Sequence, residues 1–321
     1  MRNAFADEIA RLATIDSRVV LLSGDIGNKL FDSFKEVGEG RFLNCGVAEA
    51  CMMSTAAGLA LSGFRPVVYT ITPFTTTRCF EQVRVGVCYH EAPVMIVGTG
   101  SGLSYASLGP THHSLEDLAI MRTLPGMTVL APCDSEELTA LLRQGLQQNG
   151  PVYMRIGKKG EPTIPAVEPA IHLGRGRIIR RGSDVCLIAT GTIMSEALAA
   201  AELLAKEGLS CQLMSCHTVK PLDVTMLEEV FHAFPLVGVV EEHGRIGGLG
   251  GAIAEWRCGR KEELAPMVTF GAADTFLHEI GSQAYARGRY GLTAVVIAAT
   301  LRGRLYDRLR EGGPAADAVR D

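Results

Sequence analysis

Glu49 is the one acid in the stretch NCGVAEACMMSTAAGLALSG, residues 44–63, which is otherwise uncharged. Its neighbours Ala48, Ala50, Cys51, Ala56, Ala57 and Gly58 form a smooth surface against which a flat or helical body can pack. Apolar surroundings favour the protonated form of a carboxyl group and suit it to share a proton with a buried ring nitrogen. No cation stands in the same stretch, so the partner of Glu49 is expected to be a ligand or another chain. A plainer reading competes. Acids are favoured in a first helical turn because they face unpaired N–H groups, an effect of about 0.3–1 kcal/mol.

Other chemistry is sparse on spacing alone. The nine cysteines (Cys45, Cys51, Cys79, Cys88, Cys133, Cys186, Cys211, Cys216, Cys258) include no CxxC pair. That odd, scattered set points to reduced thiols in a cytosol rather than to a disulfide framework or a zinc site. GGLGG at 247–251 has no following Lys-Ser/Thr pair and no acid at dinucleotide-site spacing, so helix packing or a subunit contact explains it better than phosphate binding. Asp25 in SGDIGNKLF reads as a strand-end turn residue within reach of a substrate.

These residues need elements to hold them. RVVLLSGD, RPVVYTIT, APVMIVGTG, MTVLAP and PVYMRI read as strands, bounded by Gly or Pro. Between them EACMMSTAAGLALSG, TTTRCFEQVRVGVCYH, SLEDLAIMRTL and DSEELTALLRQGLQQ read as helices, the last with Asp134 and Glu137 at capping-box spacing. Near-continuous apolar strands alternating with helices predict a parallel sheet covered on both faces. A Pro/Gly-rich, charged segment follows, and the alternation restarts with DVCLIATG and runs to TAVVIAATLRGRLY. The expected organisation is α/β in two domains, each a mainly parallel sheet flanked by helices: residues 1–165, a linker at 166–176, and residues 177–321. EGGPAADAVRD at the end reads as a loose tail.

Composition excludes several classes. The 321 residues are 47% hydrophobic and 21% charged, enough for two packed cores. A net charge of −4 gives no electrostatic reason to expect a nucleic acid or an acidic membrane. The first residues, MRNAFADEIARLATID, do not read as a signal peptide, and no apolar run is long enough to span a bilayer. A cytoplasmic protein is expected.

The segment RFLNCGVAEACMMSTAAGLALSGFRPVVYTITPF resembles the pyrimidine-binding domain of thiamine-diphosphate-dependent transketolases, around their G-[IV]-A-E signature. The resemblance runs through nearly the whole chain. GPTHHSLEDLAIMRTLPGMTVLAPCDSEE is similar to the family's G-x-T-H-Q-x-x-E-D segment, and VGVVEEHGRIGGLGGAIAEW to a stretch of its C-terminal domain. It implies that Glu49 meets the pyrimidine N1′ atom of thiamine diphosphate in a site between subunits, so that the cofactor's own 4′-amino group can activate its thiazolium carbon. It implies that Phe74 stacks on that ring. Arg78 is a candidate cofactor contact, although on RCFEQVR both Arg78 and Arg84 read more readily as surface or dimer-face residues. His112 is implied to contact the substrate near its reacting carbonyl, where an imidazole can move protons. His113 stands where the family has glutamine, and at most one of the two histidines is expected to face the substrate. Arg155, followed by Lys158 and Lys159, falls where the family holds the substrate phosphate.

Two departures stand out. The family's G-D-G with a downstream asparagine, which holds the diphosphate through Mg²⁺ or Ca²⁺, has no match. The nearest string, SGDIGNKLF, has Ile26 for the second glycine. The metal and diphosphate are therefore expected on a partner, an N-terminal transketolase subunit, in an α2β2 heterotetramer acting on small ketose and aldehyde substrates. The family's H-x-G-L-x-x-G-E-D-G is also altered to GSGLSYASLG, with Gly100, Ser107 and Leu108 replacing histidine, glutamate and aspartate. Tyr105 and Ser107 become candidate substrate contacts, and the substrate is expected to differ from an ordinary sugar phosphate. A β subunit of a 2-oxoacid dehydrogenase decarboxylase, a deoxyxylulose-phosphate-synthase-like enzyme and a non-catalytic subunit of this fold are the alternatives.

Overall fold

The computed structural model describes residues 1–27 and 29–310; EGGPAADAVRD lies outside the described residues. In the first half, β-branched and aliphatic runs form β1 (Val19–Ser23), β2 (Phe42–Asn44), β3 (Arg65–Ile71), β4 (Met95–Thr99), β5 (Thr128–Leu130) and β6 (Val152–Ile156). In the second half they form β7 (Arg177–Arg180), β8 (Val185–Thr190), β9 (Cys211–Ser215), β10 (Thr218–Lys220), β11 (Val237–Gly244) and β12 (Met267–Ala272).

Among the described residues the strands make two sheets, ordered β10-β5-β6-β4-β3-β1-β2 and β12-β11-β8-β9-β7. Each is parallel except at one edge pair, β10 with β5 and β7 with β9. β1, β4, β6 and β8 are buried along their whole length, as strands covered on both faces must be. One face of the first sheet packs under Phe5, Ile9, Phe34, Leu138 and Leu142. The other packs under Met52, Met53, Ala56, Val83 and Val87.

Three local outcomes bear on the site. The segment expected as one helix, TTTRCFEQVRVGVCYH at 75–90, instead follows a helical turn at Thr72–Thr75 and contains a 3₁₀ turn at Thr77–Cys79 and a π-helical run at Gln82–Cys88. The threonines explain the break. Thr75 and Thr76 hydroxyls donate to the Thr72 carbonyl at 3.0 and 2.7 Å, and Thr77 donates to the Pro73 carbonyl at 2.8 Å, competing with the main-chain pattern. Asp134 caps Ser135–Leu146 as expected, accepting from Glu137 N–H at 2.9 Å, but Glu137 reaches past it to Cys133 N–H at 2.8 Å. Finally, β10 comes from the second half of the chain yet completes the first sheet, which the division by sequence does not anticipate.

The loops that carry the candidate residues follow the C-terminal ends of β1, β2, β3, β4 and β6. In open parallel sheets that edge is where ligands bind.

Candidate active site

Glu49 opens the helix Glu49–Leu61, just after β2, and is 4% exposed. Its partner is inside the chain, contrary to expectation. Arg78 Nη1 donates to its two carboxylate oxygens at 3.1 and 3.0 Å from 29 residues away. The irregular backbone after β3 brings it there, and the contact is invisible to sequence spacing. The guanidinium also lies 4.0 Å from the centroid of the Phe74 ring. A planar cation thus meets a buried carboxylate and an aromatic face at once. Beneath them, burial pushes the Cys79 thiol up to about 12, with the Glu49 charge adding to the shift.

The aromatic face continues. His112, half-buried, sits edge-on to Phe74 at 5.5 Å and to Tyr105 at 6.1 Å between ring centroids. Its Nδ1 is 2.9 Å from the Thr111 hydroxyl, which fixes the ring's orientation. Lys158 Nζ lies 4.4 Å from the centroid of Tyr105. Glu49, Arg78, Phe74, His112, Tyr105 and Lys158 therefore form one continuous run, contributed by four loops. Gly100 lies at φ +75°, and a side chain there would collide with the Tyr105 ring. The glycine at 100 and the tyrosine at 105 are one coupled feature.

The other expected residues lie apart from this run. His113 points the other way, into a cavity of about 640 Å³ lined by Leu115, Arg245, Phe276 and Leu277. Burial holds its pKa below the usual value, and its Nε2 has no hydrogen-bond partner. Arg155 is 4% exposed and fully engaged: it donates to Asp117 Oδ1 at 3.0 Å and to the Glu242 carbonyl at 2.9 Å, while Tyr153 donates to Asp117 Oδ2 at 2.6 Å. This geometry commits the two terminal nitrogens of Arg155 to partners inside the chain, and the bond to Glu242 ties the two halves together. Asp25 is exposed and accepts from Asn44 Nδ2 at 3.2 Å; Asn44 in turn accepts from Gly46 N–H at 2.8 Å, so the pair shapes the turn leading to Glu49. Ser107 is exposed on the short turn Ala106–Leu108. Leu108 is 49% exposed, so the cost of an unpaired buried hydroxyl does not apply to it in this chain. Arg84 is a surface residue 3.8 Å from Glu81.

Lys158 is not singled out by spacing; it stands two residues past the end of β6, where the chain leaves a fully buried strand and a long cation reaches the mouth of the site.

The donor set fits one kind of ring. A buried carboxylate beside a half-buried aromatic ring suits a flat, protonatable heterocycle. It does not suit a diphosphate with its metal. Among the described residues no three His, Cys, Asp or Glu side chains converge as a metal site. Nor is any described helix long and apolar enough to cross a membrane.

Residues 1–161 match the family described as transketolase, pyrimidine binding domain, and residues 174–297 match transketolase, C-terminal domain. The chain belongs to the transketolase family. Among transketolase relatives, the 6-deoxy-6-sulfo-D-fructose transketolase subunit SqwH of Clostridium sp. (strain MSTE9) is 37% identical over 298 residues, 92% of this chain and 91% of that one. An apulose-4-phosphate transketolase subunit of Phocaeicola vulgatus is 32% identical over 256 residues, 79% of this chain and 82% of that one. A solved structure described as a split gene transketolase, inactive beta4 tetramer, has a TM-score of 0.84 at 32% identity, covering 95% of this chain and 97% of its own. The resemblance first read from GVAEA and THHSLED is thus the correct one: this is a subunit type of split transketolases, and the family implies a transferase that uses thiamine diphosphate.

Proposed function

We propose that this chain is the pyrimidine-binding and C-terminal half of a thiamine-diphosphate-dependent transketolase that moves a two-carbon ketol unit, active only with a partner subunit. The observation that carries the reading is the buried Glu49 carboxylate beside the Phe74 ring at the C-terminal edge of the first sheet. Thiamine diphosphate, when bound, supplies the electron sink for breaking and making the C–C bond.

The chain's own residues then divide the work. Glu49 holds a proton at N1′ of the pyrimidine, and Phe74 offers its face to that ring. Arg78 keeps the buried carboxylate paired in the free chain. His112, oriented by Thr111, moves a proton at the substrate oxygen. Tyr105 and Ser107 border the substrate path, and Asp25 supports the turn before Glu49. Lys158, at the end of the aromatic run, takes the anionic end of the substrate in place of Arg155. Two relatives are named for an anionic sugar, one a sulfonate and one a phosphate, which favours a substrate of that class.

The diphosphate and its Mg²⁺ belong on an N-terminal partner with G-D-G and a downstream asparagine, in an α2β2 assembly. The exposed face of Glu49–Leu61 (Cys51, Ser54, Thr55, Gly58, Leu61) is uncharged and suits close packing against such a partner. To test this, tagged chain is recovered from its source cell with thiamine diphosphate and Mg²⁺, and the complex is assayed for ketol transfer with wild-type chain and Glu49→Gln. A G-D-G partner and activity lost in the variant support the reading. A lipoyl carrier in the complex, or full activity in Glu49→Gln, defeats it.

A further inference from the structure

Glu242, on β11 in the second half of the chain, is 2% exposed and takes no part in the chemistry described above. Its Oε1 accepts from the backbone N–H of Leu103 at 2.7 Å and from Gln283 Nε2 at 2.9 Å. Its Oε2 accepts from Arg287 Nε, and Arg287 is itself buried. A carboxylate taken out of water is tolerated where such partners meet it. The bond to Leu103 is the one that crosses between the halves.

That bond lands at the base of loop 102–114, which carries Tyr105, Ser107, His112 and His113. Gly102 stands at φ +61°, and a Cβ there would lie 2.5 Å from Glu242 Oε1, so the loop is pressed directly onto the carboxylate. Ser114 N–H donates to the Gly102 carbonyl at 2.9 Å and closes the loop on itself. Just beyond, Gly244 N–H donates to the Leu115 carbonyl at 2.7 Å, and Arg155 links Asp117 to the Glu242 carbonyl. Leu103 itself packs in a small cluster with Ala106, Leu277 and Ala286. Both ends of the loop are thus referenced to β11, and the start is held by a side chain.

We propose that Glu242 is a positioning residue for the site in the first half: by gripping Leu103 N–H it sets where the Tyr105 and His112 rings stand relative to Phe74. The role at the substrate rests on the transketolase reading above; the clamp itself does not.

Two measurements test it on the full chain. In amide hydrogen exchange, Glu242→Ala speeds exchange across 101–114 by about tenfold or more, while β8, β9 and the junction at 131–137 keep wild-type rates. Glu242→Gln, which keeps an acceptor for Leu103 N–H, restores most of the protection. Gly102→Ala, whose Cβ would sit against Glu242 at positive φ and force the two apart, likewise speeds exchange in 101–114. Unchanged rates in 101–114, or equal acceleration throughout the second half, overturns the proposal. In the complex with its partner, thiamine diphosphate and Mg²⁺, with whichever of fructose 6-phosphate and 6-deoxy-6-sulfofructose the wild-type complex turns over as the donor probe, Glu242→Ala lowers kcat about tenfold or more. The Kd for thiamine diphosphate stays unchanged, and equal losses in both count against positioning. Wild-type complex that binds no thiamine diphosphate defeats the functional reading and leaves the exchange result to decide on the clamp.

Discussion

Arg78 donates from a single nitrogen to both oxygens of Glu49, at 3.1 and 3.0 Å, and lays the same guanidinium on the Phe74 ring. The free chain thereby satisfies a buried acid from within. Arg78→Gln should lower stability by about 1–3 kcal/mol, the cost of leaving a buried acceptor short of its partner. Adding Glu49→Gln should recover part of that loss. Urea unfolding of the two single variants and the double variant measures the coupling, and strict additivity would show that the pair is energetically idle.

Tyr105 occupies the space that a side chain at residue 100 would need. Gly100→Ala adds a Cβ both at positive φ and against the ring, so the loop must shift. We expect a loss of about 1–3 kcal/mol and a broadened or displaced Tyr105 ring signal by NMR. Combining Gly100→Ala with Tyr105→Ala should regain the packing part of that loss while leaving the backbone strain.

Arg155 and Lys158 should separate cleanly. Arg155→Met removes the cation from a buried Asp117 and is expected to cost about 3–5 kcal/mol. Lys158→Ala touches a half-buried cation and should stay within about 0.5 kcal/mol of wild type. In the reconstituted enzyme, Lys158→Ala should raise KM for a phosphorylated or sulfonated sugar. An unaltered KM would remove Lys158 from the substrate site.

Two buried histidines carry a pH signature. Burial holds His113 below the ordinary 6.5, opposed by Glu242 and reinforced by His112. Burial likewise lowers His217, with Glu137 and Asp223 opposing and Arg177 and His172 reinforcing. Both are therefore harder to protonate in the fold than in the unfolded chain, whose histidines take up protons near 6.5. Their stability contribution is complete above that value and is lost as pH falls below it towards the folded-state values. The urea midpoint should drop between pH 7.5 and 5.5, and His113→Gln with His217→Gln should flatten the slope. An equally steep slope in the double variant would assign the protons elsewhere.

What the sequence reveals follows from what is local. Strands such as Val185–Thr190, the helix Ser135–Leu146 with its Asp134 cap, and the placing of Glu49 in a first turn all follow from short-range patterning. Divergence of His112 and His113 also follows from adjacency alone. The Glu49–Arg78 pair and the Glu242–Leu103 bond do not, since they depend on how a broken helix and a second sheet are placed in space. The partners of Arg155 are hidden for the same reason: its motif position is compatible with phosphate binding, and only the folded chain shows it committed to Asp117 and the Glu242 carbonyl. The π-helical run at Gln82–Cys88 escapes a 3.6-residue pattern by definition.

The antiparallel strand Thr218–Lys220 has a consequence for any attempt to dissect the molecule. A fragment cut at the Pro/Gly-rich segment would leave the backbone of Thr128–Leu130 bare along one side, a ready template for association with other chains. Truncation there should yield aggregates rather than a portable module.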